Sequence, residues 1–125
     1  MQNEVLAKHP GDARVFVIWF NMYKGDAETK WPRDLFIDGR VTQRWDEPRS
    51  AGRWFLTNLK SLHPARGGDE RFPQQVDALW DSYLLFDSNA LWQEAPTGLL
   101  SWGYTIMRTR EKLAEDFQSA LPKSK

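Results

Sequence analysis

Apolar runs and helically spaced apolar positions set the predicted elements of the chain. Residues 2–9 are short and mildly amphipathic, with Val5 and Leu6 apolar among polar neighbours. His9-Pro10-Gly11 ends this segment, because a residue before proline is pushed out of the α region. Residues 14–23 (Arg-Val-Phe-Val-Ile-Trp-Phe-Asn-Met-Tyr) form an unbroken apolar and β-branched run. Such a run predicts a strand covered on both faces. Residues 24–30 are polar and hold Gly25-Asp26, which reads as a surface loop; residues 32–36 suit one helical turn, and Asp38-Gly39 is a turn signal. Residues 41–45 alternate apolar and polar side chains, as a short half-buried strand does.

Asp46 is placed to cap a helix, with Glu47 and Pro48 in the first turn, where an anion and a proline are favoured. That helix runs to Leu62 and buries Ala51, Trp54 or Phe55, Leu59 and Leu62 at three-to-four spacing. His63-Pro64 stops it. Residues 65–75 form the longest structureless stretch, a loop within one core rather than a linker between two. Residues 79–86 predict a second strong strand, residues 87–90 a turn, and Leu91-Trp92 the start of a returning hairpin strand. Residues 99–107 are apolar and broken by Gly103, and Thr109 caps a last helix facing inward through Leu113, Phe117 and Leu121. The order helix–strand–helix–strand–strand–helix predicts an α/β fold, a mixed sheet with helices on it.

Composition narrows what such a domain can do. A chain of 125 residues is one domain, residues 1–125, with enough length for a real core. The absence of cysteine removes disulfides, thiol catalysis and thiolate metal sites together. Seventeen basic and seventeen acidic side chains leave no net field for nucleic acid or an anionic membrane surface. No apolar stretch approaches the ~18 residues of a membrane span, and the first residues do not resemble a signal peptide, so a cytoplasmic protein is expected. The compositional oddity is aromatic: seven Trp, seven Phe and three Tyr.

The candidate chemistry is sparse. His9 and His63 are the only histidines, and each precedes a proline at a helix end, so helix termination explains both. Too few nitrogen or sulfur ligands remain for zinc, and neither a metal nor a cofactor is expected. Ser101-Trp-Gly103 has Leu99 where a nucleophile elbow needs glycine, and both histidines precede the serine, so no catalytic residue is assigned. The carboxylates are more informative. Asp46 and Asp81 each follow a tryptophan, in Trp45-Asp46 and Trp80-Asp81, and an indole beside a carboxyl raises its pKa by desolvation. Each also has a plainer reading, Asp46 as a helix cap and Asp81 as the solvated start of a strand. Strand ends in α/β sheets gather at one crevice, so the two pairs are expected near one sheet edge. With Trp102 they form the candidate ligand-binding set: Trp45, Asp46, Trp80, Asp81 and Trp102. A cleft lined by several indoles suits an apolar or ring-shaped ligand or a partner's side chain.

Residues 14–22, residues 37–47 (Ile-Asp-Gly-Arg-Val-Thr-Gln-Arg-Trp-Asp-Glu), residues 79–87 (Leu-Trp-Asp-Ser-Tyr-Leu-Leu-Phe-Asp), and later Leu91-Trp92, Pro96 and Ser101-Trp-Gly103 together resemble a bacterial thioredoxin-like family. The resemblance covers residues 5–121. It implies a thioredoxin-like mixed sheet flanked by helices, here shortened at its N-terminal side. Members of that family usually carry a cysteine pair at the start of their first helix, after a first strand, and a cis-proline before the third strand. This chain begins at or inside that helix, has no cysteine, and has Asp81-Ser82 where the proline would stand. Disulfide exchange needs a thiolate, so no catalytic role is carried over. The function expected is therefore a redox-inactive domain that binds a partner protein or small molecule in an aromatic cleft. The alternatives are a small acid–base enzyme using Asp46 or Asp81, and a purely structural homo-oligomer. A homodimer is expected, because the run at residues 14–23 is apolar on both faces and needs cover; the alternative is a monomer in which residues 99–107 or the loop around Phe72 fold over the gap.

Overall fold

The computed structural model describes residues 5–9, 11, 13–68 and 76–121. Among them lie strands β1 (Val15–Trp19) and β2 (Val41–Trp45), helix α1 (Ser50–Asn58), strands β3 (Ser82–Phe86) and β4 (Leu99–Tyr104), and helix α2 (Ile106–Ala120). A 3-10 turn, Leu59–Leu62, prolongs α1, and another, Glu28–Lys30, lies in the loop after β1. The class is α/β, as the apolar pattern predicts. The pairing differs from one continuous mixed sheet. β1 and β2 form a parallel two-stranded ladder, and β3 and β4 form an antiparallel one.

The parallel register sets Phe16 opposite Thr42 and Ile18 opposite Arg44, so these four share one face of the ladder. Phe16 is 70% exposed and Ile18 44%. The expectation that this strand is covered on both faces is therefore corrected: Val15, Val17 and Trp19 turn inward, and the other face is bare. The cause lies in α1, whose Phe55 and Leu56 pack against Leu59, Leu79 and Leu99 instead of across β1 and β2.

The antiparallel half is closed. Burial alternates along β4, with Leu99, Ser101 and Gly103 inside. α2 packs over both strands, and Tyr83, Leu113 and Val5 form a core with Ala114 and Phe117 against it. A Cβ at Gly103 would run into the Tyr83 ring and come within 2.9 Å of the Thr109 hydroxyl, so only glycine fits there without displacement. The strand returning from β3 is β4, not Leu91-Trp92. Trp92 makes an isolated bridge to Pro96, while Asp87 N–H bonds the Gly98 carbonyl at 2.8 Å and carries the hairpin past residues 88–97.

Helix starts also shift from their predicted places. α1 begins at Ser50, after Arg49 in a left-handed conformation (φ 58°). Asp46 still caps it, from further back than a cap normally stands, by accepting the Ala51 N–H at 2.8 Å. α2 begins at Ile106, so Thr109 lies in the first turn rather than at the cap. There its buried hydroxyl donates to the Thr105 carbonyl at 2.8 Å. The start is set from outside the helix, because the Asp81 carbonyl accepts the Ile106 N–H at 3.0 Å. Of the long predicted loop, residues 69–75 lie outside the described residues. Among the described residues no helix is long and apolar enough to cross a membrane.

Candidate functional site

Of the two Trp-Asp pairs, Trp45-Asp46 stands at the end of β2 and Trp80-Asp81 immediately before β3. Trp45 ends β2, level with Trp19 at the end of β1. Trp31 lies between them, with ring centroids 6.3 Å from Trp19 and 6.5 Å from Trp45. Gln43 fastens this cluster: its Oε1 accepts the Trp19 indole N–H at 3.0 Å, and its Nε2 donates to the Arg33 carbonyl at 3.1 Å. The Arg33 guanidinium lies 5.0 Å above the Trp31 ring. Asp46 follows directly, donating its N–H to the Trp19 carbonyl at 2.7 Å while one carboxylate oxygen caps α1.

Trp80 and Asp81 belong to the antiparallel half. Trp80 meets Tyr104 edge-on, with centroids 5.9 Å apart. Asp81 immediately precedes β3 and holds a left-handed conformation (φ 49°), which aspartate tolerates better than most residues. Burial pushes its carboxyl above the ordinary value of 3.8, and the Ile106 amide offsets only part of that shift. An anion at the start of α2 would normally be favoured, so desolvation outweighs the helix dipole here. Trp102, the fifth candidate, packs from β4 against the Leu59, Leu79 and Leu99 cluster. One property links the two pairs. Among the described residues the buried indole N–H groups of Trp31, Trp45 and Trp80 find no acceptor.

An open groove of about 420 Å³ lies over the bare face of the parallel ladder. Phe16, Val17 and Ile18 line it from β1, Thr42 and Arg44 from β2, and Ser50 and Ala51 from the first turn of α1. Of the five sequence-derived candidates only Asp46 is among its lining residues, and their one aromatic side chain is Phe16. The groove volume is in the range of small-molecule and side-chain sites. Its surface is chiefly apolar, with Arg44 and Asp46 as its charged members. What it can do chemically is bury an apolar group beside one cation and one anion.

Two further polar clusters escaped sequence reasoning. Arg40 donates to the carbonyls of Leu6 (2.8 Å), His9 (2.7 Å) and Gly11 (3.0 Å). It is oriented by a two-point ion pair with Asp38, at 3.0 and 2.7 Å. The Arg40 side chain, aided by its backbone N–H, holds the Asp38 carboxyl down to about 2 despite partial burial. In the closed half, Lys112 Nζ donates to Asp116 (2.9 Å), Tyr83 Oη (3.2 Å) and the Trp102 carbonyl (3.3 Å). Burial alone would raise the Asp116 carboxyl, but hydrogen bonding from Lys112, a weaker contact from the Ser101 hydroxyl, and the Lys112 and Arg66 charges hold it low. The Ser101 contact falls short of good hydrogen-bond geometry, so Lys112 carries most of this effect. Burial opposes the charge on Lys112 too, and its bonds to Asp116 and Tyr83 prevail and raise it. A raised lysine and a wholly buried Ser101 suit a structural tie, not a nucleophile and its base. Local spacing signals neither cluster, apart from the four-residue step from Lys112 to Asp116, because the partners are brought together by the fold.

Compared with protein-family models, curated proteins and solved structures, the chain matches none.

Proposed function

We propose that the chain is a redox-inactive domain of the thioredoxin-like type that binds a partner or an apolar ligand through the groove over β1 and β2. The observation carrying this reading is the exposure of Phe16 and Ile18 on a parallel ladder beside Ala51. Parallel ladders are ordinarily buried on both faces, so a bare one lacks its cover. The order of a parallel ladder, a helix, an antiparallel ladder and a helix supports the thioredoxin-like part of the reading. With no cysteine, the disulfide exchange of such domains is closed to this chain, which favours a binding role.

The test is a fluorescence titration with anilinonaphthalene sulfonate, an apolar dye with one negative charge. Phe16→Ser and Ile18→Ser each remove an apolar side chain that the ligand buries, so each weakens binding roughly tenfold or more. Both positions are solvent-facing, so the thermal transition stays in place. Equal dye affinity in wild type and both variants would remove the groove from consideration.

A second reading, acid–base work by Asp81, has one observation in its favour: a carboxyl raised by burial at the start of α2, where the Ile106 amide offsets only part of the shift. Asp46 has no such support, since one of its oxygens is committed to α1. Titration of Asp81 by NMR in the presence and absence of small carbonyl compounds tests this reading. A titration unmoved by any of them counts against it.

A further inference from the structure

We infer that the occupant of this groove is the same groove of a second copy, so that the chain forms a two-fold symmetric dimer; this rests on the binding role proposed for the groove. A two-fold contact presents one patch to itself, so the patch must contain its own complement. This one does. Phe16 and Ile18 stand out from β1, and Ala51 in the first turn of α1 lines the same groove, so each copy offers apolar surface to the other's. Arg44 and Asp46 lie two positions apart at the end of β2 and both line the groove. Two copies laid face to face with opposite strand directions set the Arg44 of each copy against the partner's Asp46, twice. Arg44 gives one bond to the neighbouring Gln43 carbonyl at 3.0 Å, and Asp46 uses one carboxylate oxygen on Ala51, which leaves its second oxygen for this pairing.

The whole-molecule charge agrees. Seventeen basic and seventeen acidic side chains leave two copies without net repulsion, whereas a strongly charged chain would resist self-association. A different partner would have to supply an apolar strip with one anion and one cation in reversed order. A second copy has that arrangement already. The contact also covers the face that a parallel ladder does not leave open.

The experiment is sedimentation equilibrium of the full chain over a hundredfold range of concentration. The expected result is a two-chain mass at the concentrated end that falls to one chain on dilution. Phe16→Glu and Ile18→Glu each raise the dissociation constant at least tenfold. Because the chain has no cysteine, Ile18→Cys provides a single thiol on this face, and mild oxidation then links two chains. That measurement stands even where a glutamate variant folds poorly. A one-chain mass for the wild type at every concentration overturns the dimer. The dye titration then shows separately whether the groove still binds, so the two readings fail independently. A two-chain mass that survives in both glutamate variants, with no cross-link at position 18, also overturns the inference and places the contact elsewhere.

Discussion

The two ladders reverse the usual division between covered and wet sheets. Antiparallel pairs commonly leave one face to solvent, and parallel pairs are commonly buried on both. Here β3 and β4 carry α2 on one face, with Tyr83 and Leu113 in the seam, while β1 and β2 show Phe16 and Ile18 to water. The helix that could have covered the parallel pair is diverted. α1 backs onto the segment before β3, where the Leu79 N–H bonds the Gly52 carbonyl at 2.8 Å and a Cβ at Gly52 would stand 2.9 Å from the Leu79 carbonyl. That close approach fixes α1 against the second half and leaves the first half with a groove. One half is thus a packed scaffold, and the other keeps an apolar surface exposed to water.

The sharpest way to break this comparison is a pair of truncations of similar size. Leu113→Ala removes a buried side chain from the seam under α2 and costs about 2–5 kcal/mol. Ile18→Ala, on the bare face, changes the stability of the dilute chain by no more than about 0.5 kcal/mol. Denaturant unfolding of both variants at low protein concentration measures the difference. Equal losses would mean that the β1–β2 face is packed after all, and the division into scaffold and surface would fail.

How much of this was legible beforehand depends on whether the signal was local. The parallel strand at Val41–Trp45 shows in the sequence because apolar and polar residues alternate there, and the apolar run 14–23 marks β1. The same run misleads about burial. Five of its residues form the strand, and the pleat then sends Phe16 and Ile18 outward whatever their hydrophobicity. The hairpin return at Leu99 was missed because Leu91-Trp92 is apolar and follows turn residues, while the pairing that wins is made across residues 88–97. Of the candidate site, Asp46 was legible as a cap because capping is chemistry within a few residues. Whether Trp45 and Trp80 stand together was not, because that depends on how two ladders are placed by contacts between distant residues. The Arg40 clamp on three carbonyls has no sequence signature at all, since its acceptors are backbone atoms 29 to 34 positions away.

Asp46 joins the two halves of the comparison, because it lines the groove and also caps the helix that turns away from it. Asp46→Ala leaves the Ala51 N–H without its acceptor and costs about 1 kcal/mol, read from the denaturation midpoint. Asp46→Asn keeps a side-chain oxygen on that N–H and retains nearly all of the stability, since the two residues cap almost equally well. The asparagine variant removes only the charge. Weakened self-association in Asp46→Asn with an unchanged unfolding midpoint separates the groove role from the cap role. A large loss of stability in Asp46→Asn would show that the charge itself, and not the hydrogen bond, supports α1.

The smallest expected effect lies at Asp81 and probes the scaffold half. Burial raises its carboxyl in the folded chain above the ordinary 3.8, so the folded state holds that proton more tightly than the unfolded state does. Stability contributed by the protonated form is therefore complete below the ordinary value, declines as pH rises through the folded value, and is absent at neutral pH. Asp81→Asn removes the titration while keeping a side chain of the same shape, and asparagine accepts the left-handed backbone at φ 49° as readily as aspartate does. The variant should match the wild type in acid and become more stable than it by a few tenths of a kcal/mol near neutrality. Thermal unfolding of both proteins at a series of pH values from 3 to 7 measures this difference. A gap that narrows rather than widens as pH rises would mean that the carboxylate is stabilised in place, with the start of α2 acting on it more strongly than burial does.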